Sequence, residues 1–132
     1  MEVIFADAFF FIALLNDKDE RHADVVTLST AKRAILVTTD YVLIEVADAL
    51  AQTRHRTAFE RFMGVVRSAS WIDVVPGDRE LFEAGLALFA SRPDKQWSLT
   101  DCMSFIVMTA RGLTDALTHD HHFRQAGFRI LL

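Results

Sequence analysis

Residues 2–15 of this 132-residue chain read EVIFADAFFFIALL, and this stretch decides the fold class. The apolar run from Val3 to Phe5 predicts a short strand over residues 2–6 that is buried on both faces, as in the parallel sheets of α/β proteins. Asp7 follows that strand directly, and the apolar residues 8–15 predict a helix after it. Open α/β sheets bind their ligands at the carboxyl ends of the strands, which is where Asp7 lies.

The rest of the chain alternates strands and helices in the same way. Further strands are predicted at residues 35–38, 71–75, 116–118 and 128–131. Further helices are predicted at residues 19–34, 41–55, 57–69, 78–91, 98–112 and 121–126, with Asp40 as the N-cap of the helix at 41–55. This order predicts a three-layer α/β/α fold with a central, mostly parallel sheet, in a single domain that spans residues 1–132.

The composition limits the class of protein. Hydrophobic residues make up 52% of the chain, which argues against a disordered protein. The apolar run at residues 8–15 is far shorter than the roughly 20 residues that cross a bilayer, so we expect no membrane span. The N-terminus lacks the pattern of a secretory signal, and the single Cys102 cannot form an internal disulfide. We therefore expect the protein in the cytoplasm.

Four carboxylates at separate places in the chain form the candidate site: Asp7, Glu45, Asp101 and Asp120. Asp7 and Asp120 each follow a predicted strand, and Glu45 lies at the border between the apolar and polar faces of its helix. Each has a structural alternative, since the two strand-end residues can cap helices and Asp101 completes a capping-box pattern that begins at Ser98. Together they predict one acidic pocket, whose oxygens suit a hard divalent cation such as Mg²⁺.

Residues 52–68 carry a local excess of positive charge, although the whole chain has a net charge of -4. The acidic and basic residues of this segment are Arg54, Arg56, Glu60, Arg61 and Arg67. A basic strip beside an acidic pocket suits a substrate that contains phosphate, which makes Arg54 and Arg56 candidate phosphate contacts. The alternative is an ordinary solvated helix face.

Other motifs point to ordinary structural roles. The run from His119 to His122 is not expected to bind zinc, because adjacent side chains should diverge and no further ligand completes a tetrahedral set. Cys102 is predicted to be a core residue. The three phenylalanines at 9–11 are predicted to fill the core and to contribute a dimer contact. The sequence contains neither a Gly-rich phosphate loop nor a G-x-S-x-G elbow.

Four stretches of the chain resemble the PIN domain family, and most closely the VapC-type toxins of bacterial toxin–antitoxin pairs. They are VIFAD with ALLN at residues 3–16, VTTDYVLIE at 37–45, LTDCMSF at 99–105, and ALTHDHHF leading to GF at 116–128. The resemblance implies an endoribonuclease whose Mg²⁺ or Mn²⁺ is held by Asp7, Glu45, Asp101 and Asp120. It also implies RNA as the substrate, which Arg54 and Arg56 are then predicted to contact, a small antitoxin protein as the inhibitor, and a homodimer.

Two alternatives remain open. Relatives usually carry Thr or Ser where this chain has Ala8, and the missing hydroxyl could leave Asp7 poorly oriented. The second hypothesis is therefore a PIN-like module that binds RNA or a protein partner without cleavage. The third is a phosphoryl-accepting receiver or a phosphatase. Receivers need a late lysine, whereas the lysines of this chain are Lys18, Lys32 and Lys95. Haloacid-dehalogenase-like phosphatases need an aspartate where the chain has Phe9.

Overall fold

The computed structural model describes residues 2–31, 33–52 and 54–132, and its centre is a parallel sheet of five strands. The strands are β1 (Glu2–Ala6), β2 (Ala34–Thr39), β3 (Ile72–Val75), β4 (Asp115–Leu117) and β5 (Arg129–Ile130). Their order in the sheet is β3-β2-β1-β4-β5, and every neighbouring pair is parallel. The predicted α/β fold with a parallel sheet is confirmed.

Seven helices flank this sheet in the described part of the chain. They are α1 (Ala8–Leu15), α2 (His22–Ala31), α3 (Asp40–Leu50), α4 (Arg56–Ser68), α5 (Arg79–Ser91), α6 (Leu99–Ala110) and α7 (His121–Gln125). The three-layer α/β/α arrangement is therefore confirmed as well. No helix within the described ranges has the length and apolarity that a membrane crossing requires.

Strand β1 lies at the centre of the sheet, and this explains its apolar sequence. It pairs with β2 from Glu2 to Phe5 on one side, and with β4 through Phe5 and Ala6 on the other. Ile4, Phe5 and Ala6 are almost completely buried, since helices cover both faces. The chain leaves β1 toward β2 and later returns on its other side to form β4. Such a reversal of strand order marks the crevice where α/β proteins bind ligands.

Two predicted helices differ from the structure by three residues or more at one end or at both, whereas the other helices differ by at most two. The helix expected at 19–34 begins only at His22, because the Asp19 carboxylate accepts the backbone N–H of Arg21 at 2.8 Å and forms a turn instead. It ends at Ala31, residue 32 lies outside the described residues, and Ala34 already belongs to β2.

The prediction for the third helix was wrong at both ends. Thr39, and not Asp40, is its N-cap, because the Thr39 hydroxyl accepts the backbone N–H of Val42 at 3.0 Å. Asp40 instead accepts the backbone N–H of Gly77 at 2.8 Å, a contact between segments that are distant in sequence. The helix ends at Leu50, short of the expected end near residue 55, and residue 53 of that range is not described.

Helices α5 and α6 approach each other closely at Gly85. A Cβ atom at Gly85 would lie 2.3 Å from the Met103 Cγ and 3.2 Å from the Met103 backbone nitrogen. This contact fixes the position of α6 against α5. It matters for the candidate site because α6 carries Asp101, two residues before Met103.

Candidate metal centre

Asp7 is a buried carboxylate at the carboxyl end of the central strand. It is 6% exposed, and its side chain makes no cap hydrogen bond to helix α1, although it occupies the N-cap position. The Thr118 hydroxyl donates to Asp7 Oδ2 at 2.9 Å instead. Burial raises the pKa of Asp7 from its ordinary value of 3.8 to about 7, and the negative charges of Asp101 and Glu45 contribute to the rise.

Asp101 combines a structural role with a place in the site. It forms the predicted capping box, in which Ser98 Oγ accepts the Asp101 N–H at 3.0 Å and Asp101 Oδ2 accepts the Ser98 N–H at 3.2 Å. The same Oδ2 lies 3.2 Å from Nδ1 of His122. Burial and then repulsion by Asp120 raise the pKa of Asp101, while hydrogen bonds from Ser98 and His122 act in the opposite direction.

Asp120 is connected to both of these carboxylates through short hydrogen-bonded links. Its backbone N–H donates at 3.1 Å to the Thr118 hydroxyl, the same hydroxyl that holds Asp7. Its Oδ1 accepts the His122 N–H at 2.9 Å, as an N-cap does, and lies 3.3 Å from His122 Nδ1. His122 is therefore placed between Asp120 and Asp101.

Sequence reasoning did not identify Thr118 and His122 as members of the site. Thr118 is fully buried. A hydroxyl residue at the end of an apolar strand, two positions before an aspartate, is a sequence signal that could have identified it as a member of the site. His122 was visible only as part of the histidine run. Its role depends on the approach of α6 to α7, which local sequence does not reveal.

Glu45 completes the acidic group from helix α3. The residue is exposed as a whole, but partial burial of its carboxyl group raises its pKa, and the charges of Asp101 and Asp120 raise it further. The four predicted carboxylates thus act on one another electrostatically at one edge of the sheet. Asp7, Asp101 and Asp120 are also linked by the contacts of Thr118 and His122.

This donor set fits a hard divalent cation. These carboxylates are partly buried and raise one another's pKa. A positive ion between them would offset their repulsion and stabilise their charged forms. Among the described residues, no three of the four acids have ligand atoms all within 4.8 Å of one another. Mg²⁺ tolerates such spacing, because it usually keeps several waters and binds one or two carboxylates directly.

The histidine run contradicts one expectation about its geometry. Ligand atoms of Asp120, His121 and His122 all lie within 4.8 Å of one another, and the two imidazole rings are 4.5 Å apart between centroids. The side chains do not diverge, because Asp120 caps α7 through the His122 N–H and folds these residues into a tight turn.

The two arginines predicted to contact RNA are held by the protein itself. Arg54 Nη2 forms an ion pair with Asp17 at 2.9 Å, and Arg56 Nη1 donates to the Ala51 carbonyl oxygen at 2.9 Å. Both residues are exposed, so their role toward RNA stays a prediction. Cys102 is fully buried, as predicted for a core residue, and burial raises the pKa of its thiol.

Comparison with known proteins gives a family match over nearly the whole chain. The family model of the PIN domain matches residues 4–129. The 23S rRNA-specific endonuclease VapC20 of Mycobacterium tuberculosis is 29% identical over 127 residues, which are 96% of this chain and 95% of that protein. PIN nucleases generally use a divalent metal ion.

Solved structures give the same result. The crystal structure of VapC20, described as a sarcin–ricin loop cleaving toxin, superimposes with a TM-score of 0.84 and 27% identity over 95% of each chain. FitAcB from Neisseria gonorrhoeae reaches a TM-score of 0.69 at 13% identity, over 98% of this chain and 96% of that chain. VapBC2 from Rickettsia felis, bound to a promoter DNA fragment, reaches 0.67 at 8% identity, over 98% and 97%. The last two similarities concern the fold alone.

Proposed function

Because the chain belongs to the PIN domain family, we propose that it is a metal-dependent endoribonuclease of the VapC toxin type, built as a single PIN-like domain over residues 1–132. The observation that carries this proposal is the buried Asp7 carboxylate, which shares the Thr118 hydroxyl with Asp120 at the carboxyl edge of the sheet. A buried acid with a pKa near 7 is costly for the fold, and such costs are typical of functional sites.

In this proposal the carboxylates of Asp7, Glu45, Asp101 and Asp120 hold Mg²⁺ or Mn²⁺. A bound divalent ion supplies an activated water for attack on the phosphodiester and neutralises the charge that develops on the phosphate. Thr118 orients Asp7, and His122 bridges the other two carboxylates, because its Nδ1 lies 3.2 Å from Asp101 and 3.3 Å from Asp120. Removing a residue that orients a metal ligand in this way typically lowers metal affinity or activity by about 10- to 100-fold.

The Thr118 contact favours a catalyst over a module that only binds. Ala8 lacks the hydroxyl that relatives carry next to the first aspartate, which was the reason to consider a non-catalytic protein. Here the hydroxyl that orients Asp7 comes from Thr118, at the end of the neighbouring strand. The four acids therefore retain a defined geometry without a hydroxyl at position 8.

The proposed substrate is RNA in a hairpin loop of the large ribosomal RNA, by analogy with VapC20. Loop nucleotides are unstacked and accessible, which suits an open edge of a sheet. Arg54 and Arg56 are proposed to contact the RNA backbone, where their positive charge offsets the acidic site.

We also propose a small antitoxin protein, a homodimer and a cytoplasmic location. FitAcB, VapBC2 and a toxin–antitoxin complex from Klebsiella pneumoniae share this fold. An antitoxin that covers the acidic edge would exclude RNA. The cytoplasm is where ribosomal RNA is found.

The experiment that tests the function is cleavage of a synthetic hairpin with the sarcin–ricin loop sequence. We expect cuts at one position with Mg²⁺ or Mn²⁺ and none with a chelator, since the acids alone supply no nucleophile. The variant Asp101→Asn, purified in the same way, controls for contaminating ribonuclease. The proposal fails if the wild type cleaves no faster than this variant with either metal. RNA binding without cleavage would instead support the non-catalytic module.

A further inference from the structure

Phe9 differs from the two phenylalanines that follow it. Phe10 and Phe11 are 1% exposed and fill the core, as predicted, whereas Phe9 is only partly buried. It lies in the first turn of α1, two residues after Asp7. Its ring stacks on the imidazole of His119, with the centroids 5.5 Å apart and the planes inclined by 29°.

Arg21 extends this stack with a cation. Its Nη2 lies 3.3 Å from both ring nitrogens of His119, which is itself exposed. The Asp19 carboxylate accepts the backbone N–H of Arg21 at 2.8 Å, and the Asp24 carboxylate forms an ion pair with the Arg21 guanidinium at 3.7 Å. Three segments of the chain thus bring together a phenyl ring, an imidazole and a guanidinium.

This group adjoins the acidic edge. His119 lies between Thr118 and Asp120, the residues that connect the carboxylate of Asp7 to the start of α7. Consecutive Cα atoms are about 3.8 Å apart, so the backbone that holds Asp120 also holds the stack. Phe9 and His119 are therefore next to the acids along the backbone, where an RNA strand with a phosphate at the acids can reach them.

The chemistry of the group suits an unpaired nucleobase. Bases of single-stranded RNA stack on aromatic rings, on histidine and on arginine guanidinium planes. Arg21 also brings positive charge to an edge where four carboxylates would otherwise repel the RNA. Stacking tolerates every base, so this group contributes affinity and position rather than sequence choice.

We propose that Phe9, His119 and Arg21 form a stacking platform that receives one unpaired base of the RNA substrate beside the phosphate that is cleaved. The inference rests on the proposed function and deepens it, because it assigns a base-binding subsite to the same edge.

The test measures binding of labelled hairpin RNA by fluorescence anisotropy, in the Asp101→Asn background so that the RNA stays intact. A series of hairpins carries one abasic nucleotide at each loop position in turn. We expect one abasic position to weaken binding about tenfold, and Phe9→Leu to weaken binding of the intact hairpin by a similar factor. The two changes should not add, because both remove the same stack.

Trp71→Leu is the matched control. Trp71 is 45% exposed and precedes β3, so it lies toward the amino edge of the sheet, opposite the acids. This variant should bind all hairpins as the parent does. His119→Ala changes an exposed residue and should reproduce the effect of Phe9→Leu, which guards against a folding defect.

Two results would overturn the platform. One is equal binding of every abasic hairpin by the parent protein, and the other is a Phe9→Leu effect that adds fully to each abasic position. Either result leaves the proposed function standing, because cleavage by the wild type is measured separately. Conversely, absence of RNA cleavage by the wild type would contradict the proposed nuclease activity, while the binding data would still test whether a base stacks on Phe9 and His119.

Discussion

Replacing Asp7 by asparagine is expected to abolish RNA cleavage while making the metal-free protein more stable at neutral pH. In the folded protein the pKa of Asp7 is raised to about 7, mainly by burial, whereas an unfolded chain keeps the ordinary value of 3.8. Below pH 3.8 both states hold the proton, and this residue costs no stability. As the pH rises toward 7, only the unfolded state loses its proton, so the folded state becomes relatively less stable.

Asparagine escapes this cost because it carries no charge. The raised pKa corresponds to about 4 kcal/mol of stability at pH 8, and the gain should vanish below about pH 4. The measurement is thermal unfolding of wild type and Asp7→Asn in chelator at pH 8 and at pH 4. Asp48→Asn, at an exposed position of the neighbouring helix, is the control and should show no pH-dependent gain. A gain of equal size at both pH values would contradict the burial argument.

The same substitution should lower the cleavage rate by at least about a hundredfold, since one metal ligand and its charge are lost. Added Mn²⁺ should raise the unfolding temperature of the wild type more than that of Asp7→Asn, because ligands that bind the folded state stabilise it. This second readout does not depend on activity. If Mn²⁺ shifts both proteins equally, Asp7 does not hold the ion.

Gly85→Ala is expected to destabilise the protein, although alanine is normally the better helix former. The new Cβ would lie 2.3 Å from the Met103 Cγ and 3.2 Å from its backbone nitrogen, so α5 and α6 would have to separate. We expect a net loss of about 1–3 kcal/mol, as in other overpacked cores. Cleavage should fall too, because α6 carries Asp101.

Gly64→Ala provides the matched control for this prediction. Gly64 lies inside helix α4, and a Cβ there meets no atom within 4 Å. The substitution should therefore stabilise the protein by up to about 1 kcal/mol, the helix propensity of alanine over glycine. Urea unfolding of both variants measures the two effects. If both substitutions changed the free energy of unfolding in the same direction, the close contact between Gly85 and Met103 would not determine the effect of Gly85→Ala.

Much of the fold was predictable because its signals are local. The bounds of β1 and α1 agree with the sequence prediction, since a short apolar run and a longer one are separated by one aspartate. The placement of Asp7 and Asp120 after strands followed from the same pattern. It depended only on the rule that parallel strands end at one edge.

The remaining features depend on contacts between distant segments. Thr39 and Asp40 are both good N-cap residues. Thr39 caps the helix, while the Asp40 carboxylate accepts a hydrogen bond from the backbone N–H of Gly77. Thr118 and His122 gained their roles only when β4 met β1 and α7 met α6. No pattern within one segment contains that information.

The hydrogen bond between Thr118 and Asp7 joins positions 111 residues apart. A ribosome that has translated the message only as far as α6 has already made three of the four carboxylates, but neither β4 nor the loop that orients the first of them. Under the proposed function, the nascent polypeptide therefore lacks a complete site for most of its own synthesis. Because β4 and Asp120 come late in the chain, RNA cleavage can begin only after translation has passed the last acidic residue.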